Sequence, residues 1–254
     1  MIATGRASYF LMVRALREAV RQPIVEISNI FIPMFFFAVT VGAIGSVAGR
    51  AFGVTNFLGF QMPVAILQAV AGAAGNSGLG TVQDIERGYF DKLMLTPAPR
   101  LSLVMGRLAA DSVRSMFLAL LIVIGGLAAG SGMEAGPLGF LLLIALAGFF
   151  GMAYAGFGVA IALRTGSAQA AQASFLVFFP LLFLSPAFAP KEVFAPWLEF
   201  LATINPVTYV LQGMRDLVLE GWDAGSLAGA LAAIAGISAF TLSLTLFALR
   251  SRVA

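Results

Sequence analysis

Long uncharged runs dominate the chain, at 27–49, 51–83, 115–133, 135–163, 165–190 and 224–249. A helix needs about 20 apolar residues to cross the hydrocarbon core of a bilayer. The pattern therefore predicts six membrane spans, near 25–46, 56–78, 107–130, 137–162, 168–188 and 226–249. The third is marginal by its uncharged length, so it is expected to begin earlier. Arg107, Asp111 and Arg114 then share one helix face at spacings of four and three, where Asp111 can pair with both arginines as charge compensation at a helix end. Pro33 and Pro63 should bend the first two spans by removing backbone donors.

The polar interruptions carry more information than the runs. Six charged side chains (Asp84, Glu86, Arg87, Asp91, Lys92 and Arg100) crowd into DIERGYFDKLMLTPAPR, residues 84–100. Lying between two apolar segments, this stretch must protrude into water. It begins as a short amphipathic helix, read as 84–96, and TPAP stops it. In the N-terminal segment, 2–22, Tyr9, Met12, Val13, Leu16 and Val20 fall on one side of a helix. Arg6, Arg14, Arg17 and Arg21 fall in a separate arc, so the segment should lie in the membrane interface with its arginines toward phosphates. Two uses are open: an anchor for the first span, or an elbow helix that also flanks a cytoplasmic partner. The spread of arginines and the lack of a short apolar core before a small-residue site read against a cleavable signal peptide.

Charge sets the expected orientation. With six spans, Arg6, Arg14, Arg17, Arg21, Arg87, Lys92, Arg100, Arg164, Arg250 and Arg252 collect on one side, against Arg50, Lys191 and Arg215 on the other. By the positive-inside rule both termini and the 84–100 segment are cytoplasmic, in the cell inner membrane.

Composition then removes classes of function. The chain has 254 residues, 60% hydrophobic and 11% charged, well below the charge content of a soluble domain. Cysteine and histidine are absent, which excludes disulfides, thiolate metal sites and histidine acid–base chemistry. The span centres read as free of ionisable residues, which disfavours a proton- or sodium-coupled transporter. There is no GxxxxGK[ST] motif, so no nucleotide site of the chain's own is expected; the GAAGNSGLG run at 72–80 lacks its lysine. No metal site and no cofactor are expected in this chain.

Neutral polar residues do recur within the spans. Gln61, Gln68, Gly72 and Gly75 share a face with Asn76 beside it; Ser28 and Asn29 lie in the first span, and Gln169, Gln172 and Ser174 begin the fifth. Amides in a bilayer face other helices or a wet cavity, so Asn29, Gln61, Gln68, Asn76 and Gln172 either pack helices together or line a substrate path. Small residues four apart (Ala147, Gly151, Ala155; Gly225, Gly229, Ala233) read as packing. The outer connection, 187–224, is too apolar for a simple loop. Amphipathic pieces near 194–203 and 207–219 should dip back into the outer leaflet, with Trp197 and Tyr209 at the interface, Asn205 as N-cap, Pro206 at the first helical position and Arg215 beside Asp216.

The run IERGYFDKLMLTPAPRLSLVMGR (85–107) before the third span and NPVTYVLQGMRDLVLEG (205–221) before the last resemble the type-2 ABC exporter permeases, in particular the daunorubicin-resistance branch. The resemblance covers essentially the whole chain, 1–254, as one all-α integral membrane permease domain with an interfacial elbow helix, a cytoplasmic coupling helix and outer re-entrant helices. It implies a dimer of permeases, identical or not, and two partner ATPase subunits that carry the ATP and Mg. It also implies export from the cytoplasm or inner leaflet. On that resemblance Glu86, Arg87, Gly88, Tyr89, Phe90, Lys92 and Leu93 form the coupling helix, with Tyr89, Phe90 and Leu93 anchoring a socket in the ATPase. Polysaccharide exporters of the family need aromatic-lined conduits; no such row is read here, which favours a hydrophobic drug-like or lipid-type substrate over a lipid-linked polysaccharide. A passive channel or an assembly factor working without nucleotide is the alternative class.

Overall fold

The computed structural model describes residues 2–96 and 99–253, and every regular element among them is helical. An interfacial candidate, α1 (Ile2–Val20), leads into α2 (Pro23–Phe52) and α3 (Phe57–Glu86). A six-residue helix, α4 (Tyr89–Met94), follows; Pro97 and Ala98 of the TPAP stop lie outside the described residues. Then come α5 (Arg100–Ala128), α6 (Gly136–Thr165), α7 (Ala168–Phe183), α8 (Pro196–Ile204), α9 (Pro206–Leu219) and α10 (Ala224–Val253).

Among the described residues five helices, α2, α3, α5, α6 and α10, are long and apolar enough to cross a membrane. The expected third span does begin early, at Arg100. The expected fifth, 168–188, differs: its helix stops at Phe183, so α7 has 16 residues and spans about 24 Å. Pro180 sits inside its last turn, and Leu184 closes it. The chain nevertheless continues at the same depth as α3. Ala171 clusters with Val82 near one end of α3, and Pro186 shares Arg215 with Phe60 near the other. Those marks on α3 are about 33 Å apart at 1.5 Å per residue.

α3 is the hub. Its neighbours are α2, α5, α6, α7 and α9, and α10 packs on the far side of α6. Close approach of backbones makes this possible. A Cβ on Gly78 would lie 2.7 Å from the Gly158 carbonyl oxygen of α6, so only glycine fits that crossing. Threonines tie α10 to α6: Thr241 Oγ1 donates to the Ala153 carbonyl and Thr245 Oγ1 to that of Gly156, both at 2.8 Å. Asn56 caps α3 by accepting from the Gly59 amide at 2.9 Å, while its own amide donates to the Ser131 carbonyl at 2.6 Å. Pro33 and Pro63 both lie within continuous helices.

At one end, α4 hangs below α3. The other end is closed by α8 and α9, joined at Asn205, whose side chain accepts from the Val207 amide and donates to the Leu181 carbonyl of α7. The backbone carbonyls of Leu217 and Val218, near the end of α9, accept from the amides of Ala135 and Glu134 at 3.1 Å each, locking α9 into the bundle.

Candidate functional site

The five amides separated by sequence meet in space. Asn29 of α2, Gln61, Gln68 and Asn76 of α3 and Gln172 of α7 all line one cavity of about 730 Å³ between those helices. The rest of its wall is mainly apolar and aromatic, and no charged side chain is among the lining residues. Gln61 Oε1 and Asn29 Nδ2 are buried with no protein partner, so each can serve something within the cavity. An aromatic row that was not expected is present: Phe175, Phe179 and Phe183, four residues apart on α7, face the chamber together with Phe36 and Phe37 of α2. The spacing was the available signal, hidden within a largely apolar run. Of the other polar residues in that run, Ser174 turns away, and its carbonyl accepts from the Tyr154 hydroxyl at 2.8 Å.

Nearer α4, ion pairs link four helices. Asp84 of α3 accepts from Arg14 of α1 at 2.6 Å and from Arg107 of α5 at 2.8 Å. Arg114 pairs with Glu26 of α2 at 2.6 Å and with Asp111 at 3.2 Å. Two expectations are corrected here. Asp111 holds Arg114 alone, because Arg107 reaches across to Asp84 and to the Ser77 carbonyl, 3.1 Å away. Arg14 does not face phosphates: α1 packs along α5, with Leu11 and the Ser8 carbonyl against Gly106, and that packing turns Arg14 inward. Burial alone would lower the Arg14 pKa, but its hydrogen bond to Asp84 and the adjacent carboxylates raise it above its ordinary value. Asp84, Arg14, Arg107 and Glu26 were not among the expected site residues. The spacing of Arg14 from Glu18 signals only the local bond, at 2.7 Å.

The 84–96 helix is also corrected. Asp84 and Glu86 belong to α3, and the chain turns at Gly88, whose φ of +65° favours glycine, before α4 begins. Tyr89 lies under the Arg14 guanidinium, 3.7 Å from ring centroid to its carbon. Phe90 is 8% exposed and joins the main core, and Leu93 shares a small recess with it. The Tyr89–Phe90 pair thus faces its own bundle rather than outward as a socket anchor. The outward surface consists of Glu86, Arg87, Asp91, Lys92 and the fully solvated Leu95.

At the opposite end Trp197 and Tyr209 are exposed, and the Tyr209 hydroxyl donates to the Thr203 carbonyl at 2.7 Å. Pro206 opens α9 as expected. Arg215, read as an outer-side charge, is instead buried. It donates to the carbonyls of Phe60 at 3.2 Å and Pro186 at 2.9 Å, and stacks on the Phe60 ring at 3.5 Å. It joins α9, α3 and the segment after α7 at the head of the cavity.

A multi-pass helical membrane protein with a lateral chamber and a polar appendage at one end is a permease architecture. Residues 7–219 match the ABC-2 type transporter family, and the chain belongs to it. Members of that family are membrane subunits without a nucleotide-binding domain of their own, and they associate with an ATP-binding cassette subunit. The chain is 26% identical over 220 residues to the daunorubicin resistance ABC transporter permease protein DrrB1 of Streptomyces coeruleorubidus, covering 84% of this chain and 76% of that one. It is 24% identical over 226 residues to the probable doxorubicin resistance permease DrrC of Mycobacterium tuberculosis, covering 88% and 81%. A putative transport permease, ycf38, of Porphyra purpurea is 26% identical over 208 residues, covering 81% and 71%.

Proposed function

We propose that this chain is the membrane subunit of an ATP-driven exporter of hydrophobic, drug-like or lipid-type compounds. The observation that carries this reading is the amide-dotted, charge-free chamber between α2, α3 and α7. A site of that volume and lining holds one amphipathic molecule by aromatic contact, with a few amides fixing its orientation. In this reading α7 and the segment through Phe188 make the sixth crossing, and both termini and α4 are cytoplasmic. Two permease copies work with two ATPase subunits, which hold the ATP and Mg. The ATPase meets the outward surface around α4 through Glu86, Arg87, Lys92 and Leu95. Tyr89 and Phe90 seat that helix on α1 and the bundle, so that a push on α4 is delivered to them.

Reconstitution with an ATPase subunit tests this. ATP hydrolysis should rise when an amphipathic compound is added, and the chain alone should neither hydrolyse ATP nor transport. Changing Gln61 and Gln68 together to leucine should raise the half-stimulating concentration by about tenfold, the loss of two hydrogen bonds. Transport by the chain alone, or stimulation indifferent to the double change, would refute the reading.

A further inference from the structure

A second, small cavity of about 70 Å³ lies below the chamber, toward α4, and Asn76 lines both. The two spaces differ completely in chemistry. The lower one is bounded by Glu26, Gln83, Arg107, Asp111 and Arg114, whereas the chamber has no charged wall. Between them, Asn76 Nδ2 donates to Asn29 Oδ1 at 3.3 Å, the only side-chain hydrogen bond recorded between α2 and α3 among the described residues. Asn29 Oδ1 also lies 3.2 Å from where a Cβ on Gly72 would be, so its amide reaches across the α3 surface. Resting on the reading of the chamber as a transport path, we propose that Asn29 and Asn76 form its inner gate, shut in this structure, and that Arg107 holds the gate's α3 half in place.

The argument for Arg107 is geometric. Its Nε donates to the carbonyl of Ser77, the residue after Asn76, and one terminal nitrogen of its guanidinium abuts Gly80, where a Cβ would displace it. The same guanidinium is paired with Asp84, Asp84 with Arg14, and Arg14 with the Tyr89 ring of α4. Displacement of α4 therefore reaches Asn76 through contiguous charged contacts, each able to break and re-form. A single long hydrogen bond between side-chain amides is a suitable element to sit at the end of that chain, because opening it costs little. α2, which carries the other half, is little buried within the chain, and near Asn29 the Glu26–Arg114 pair ties it to α5 rather than to α3.

The absence of cysteine allows a clean test. Gln68→Cys places one thiol in the chamber, about two turns above Asn76. In inside-out vesicles a membrane-impermeant maleimide should label it slowly, whereas Thr96→Cys, exposed beyond α4, labels at once. Adding Asn76→Ala or Asn29→Ala to the Gln68→Cys chain should speed labelling about fivefold, the shift expected from losing one hydrogen bond. Gly80→Ala, which displaces Arg107 and leaves both amides intact, should speed it in the same direction. Asn29→Ala lies on the loosely packed helix and guards against a folding artefact. Labelling unchanged by both asparagine variants, or already fast in the parent, overturns the gate; labelling unchanged by Gly80→Ala overturns the role of Arg107. The readout needs no ATPase. Failure of the export reading would show as absent ATPase stimulation with the labelling differences intact, and failure of the gate as the reverse.

Discussion

α2 and α3 are both 30-residue helices with an internal proline, yet they live differently in the fold. α2 is the more hydrophobic, yet little of its apolar stretch is buried within the chain, whereas most of that of α3 is. In a soluble protein the order would be reversed. In lipid, apolar side chains need no protein neighbour, so burial goes to the helix whose small residues and amides gain from close contact. α3 supplies glycines that admit other backbones; α2 supplies Phe31, Phe35 and Phe36, half or more exposed.

The comparison is most easily broken at the helix crossings. Gly78→Leu should destabilise the permease by about 3 kcal/mol, because the side chain must displace the α6 backbone at Gly158. Gly42→Leu on α2, with open space around it, should stay within about 0.5 kcal/mol. Thermal unfolding in detergent measures both, and equal losses would show that α2 packs as tightly as α3. Next in size is Arg215→Met, expected to cost about 2 to 3 kcal/mol through two lost charge-assisted hydrogen bonds to carbonyls and a lost ring contact. The exposed Arg50, at the end of α2, should tolerate the same change with no measurable shift.

These contrasts also mark what the sequence could reveal. Run lengths located the long helices, since crossing a bilayer imposes a minimum length that composition alone satisfies. Asn205 followed by Pro206 was equally legible, because a cap is decided within a few residues, whereas the left-handed turn at Gly88 was read as part of a continuous 84–96 helix. The five amides could be picked out, but not their convergence, which depends on how α2, α3 and α7 pack. Partner choice among charges was illegible for the same reason. Arg107 had Asp111 four residues away and took Asp84, 23 residues away and on another helix. Arg215 read as an outer-side charge beside Asp216, but the α9 face that carries it is enclosed by Phe60 and Pro186. The inward turn of Phe90 was hidden because amphipathicity gives a helix an apolar face without saying whose core receives it.

The looser helix should be dispensable for stability and not for function. Phe36→Ala on α2, at a ring 55% exposed, should change unfolding by less than about 1 kcal/mol. The same variant should raise the half-stimulating concentration of a transported compound about fivefold, the worth of one aromatic contact. Hydrolysis measurements on the reconstituted complex check this. A stability loss as large as that of Gly78→Leu would mean that α2 is structural after all.

The smallest expected effect separates the two sparsely buried helices, α2 and α10, at their starts. Gln22 gives α2 no side-chain cap, whereas the Asp223 carboxylate accepts from the amides of Ser226 and Gly225, at 2.9 Å and 3.2 Å, at the head of α10. Those backbone hydrogen bonds hold the Asp223 pKa below its ordinary value of 3.8. A carboxylate whose pKa falls on folding stabilises the folded state above that ordinary value and ceases to do so as the pH drops through the lowered one. Protection of the Gly225 and Ser226 amides, relative to the intrinsic exchange rate at each pH, should therefore persist above pH 3.8 and fall only below it. Asp223→Ala should abolish that protection at every pH, and the first turn of α2 should show no such acid step. An acid step that survives Asp223→Ala would place the cap of α10 on another group.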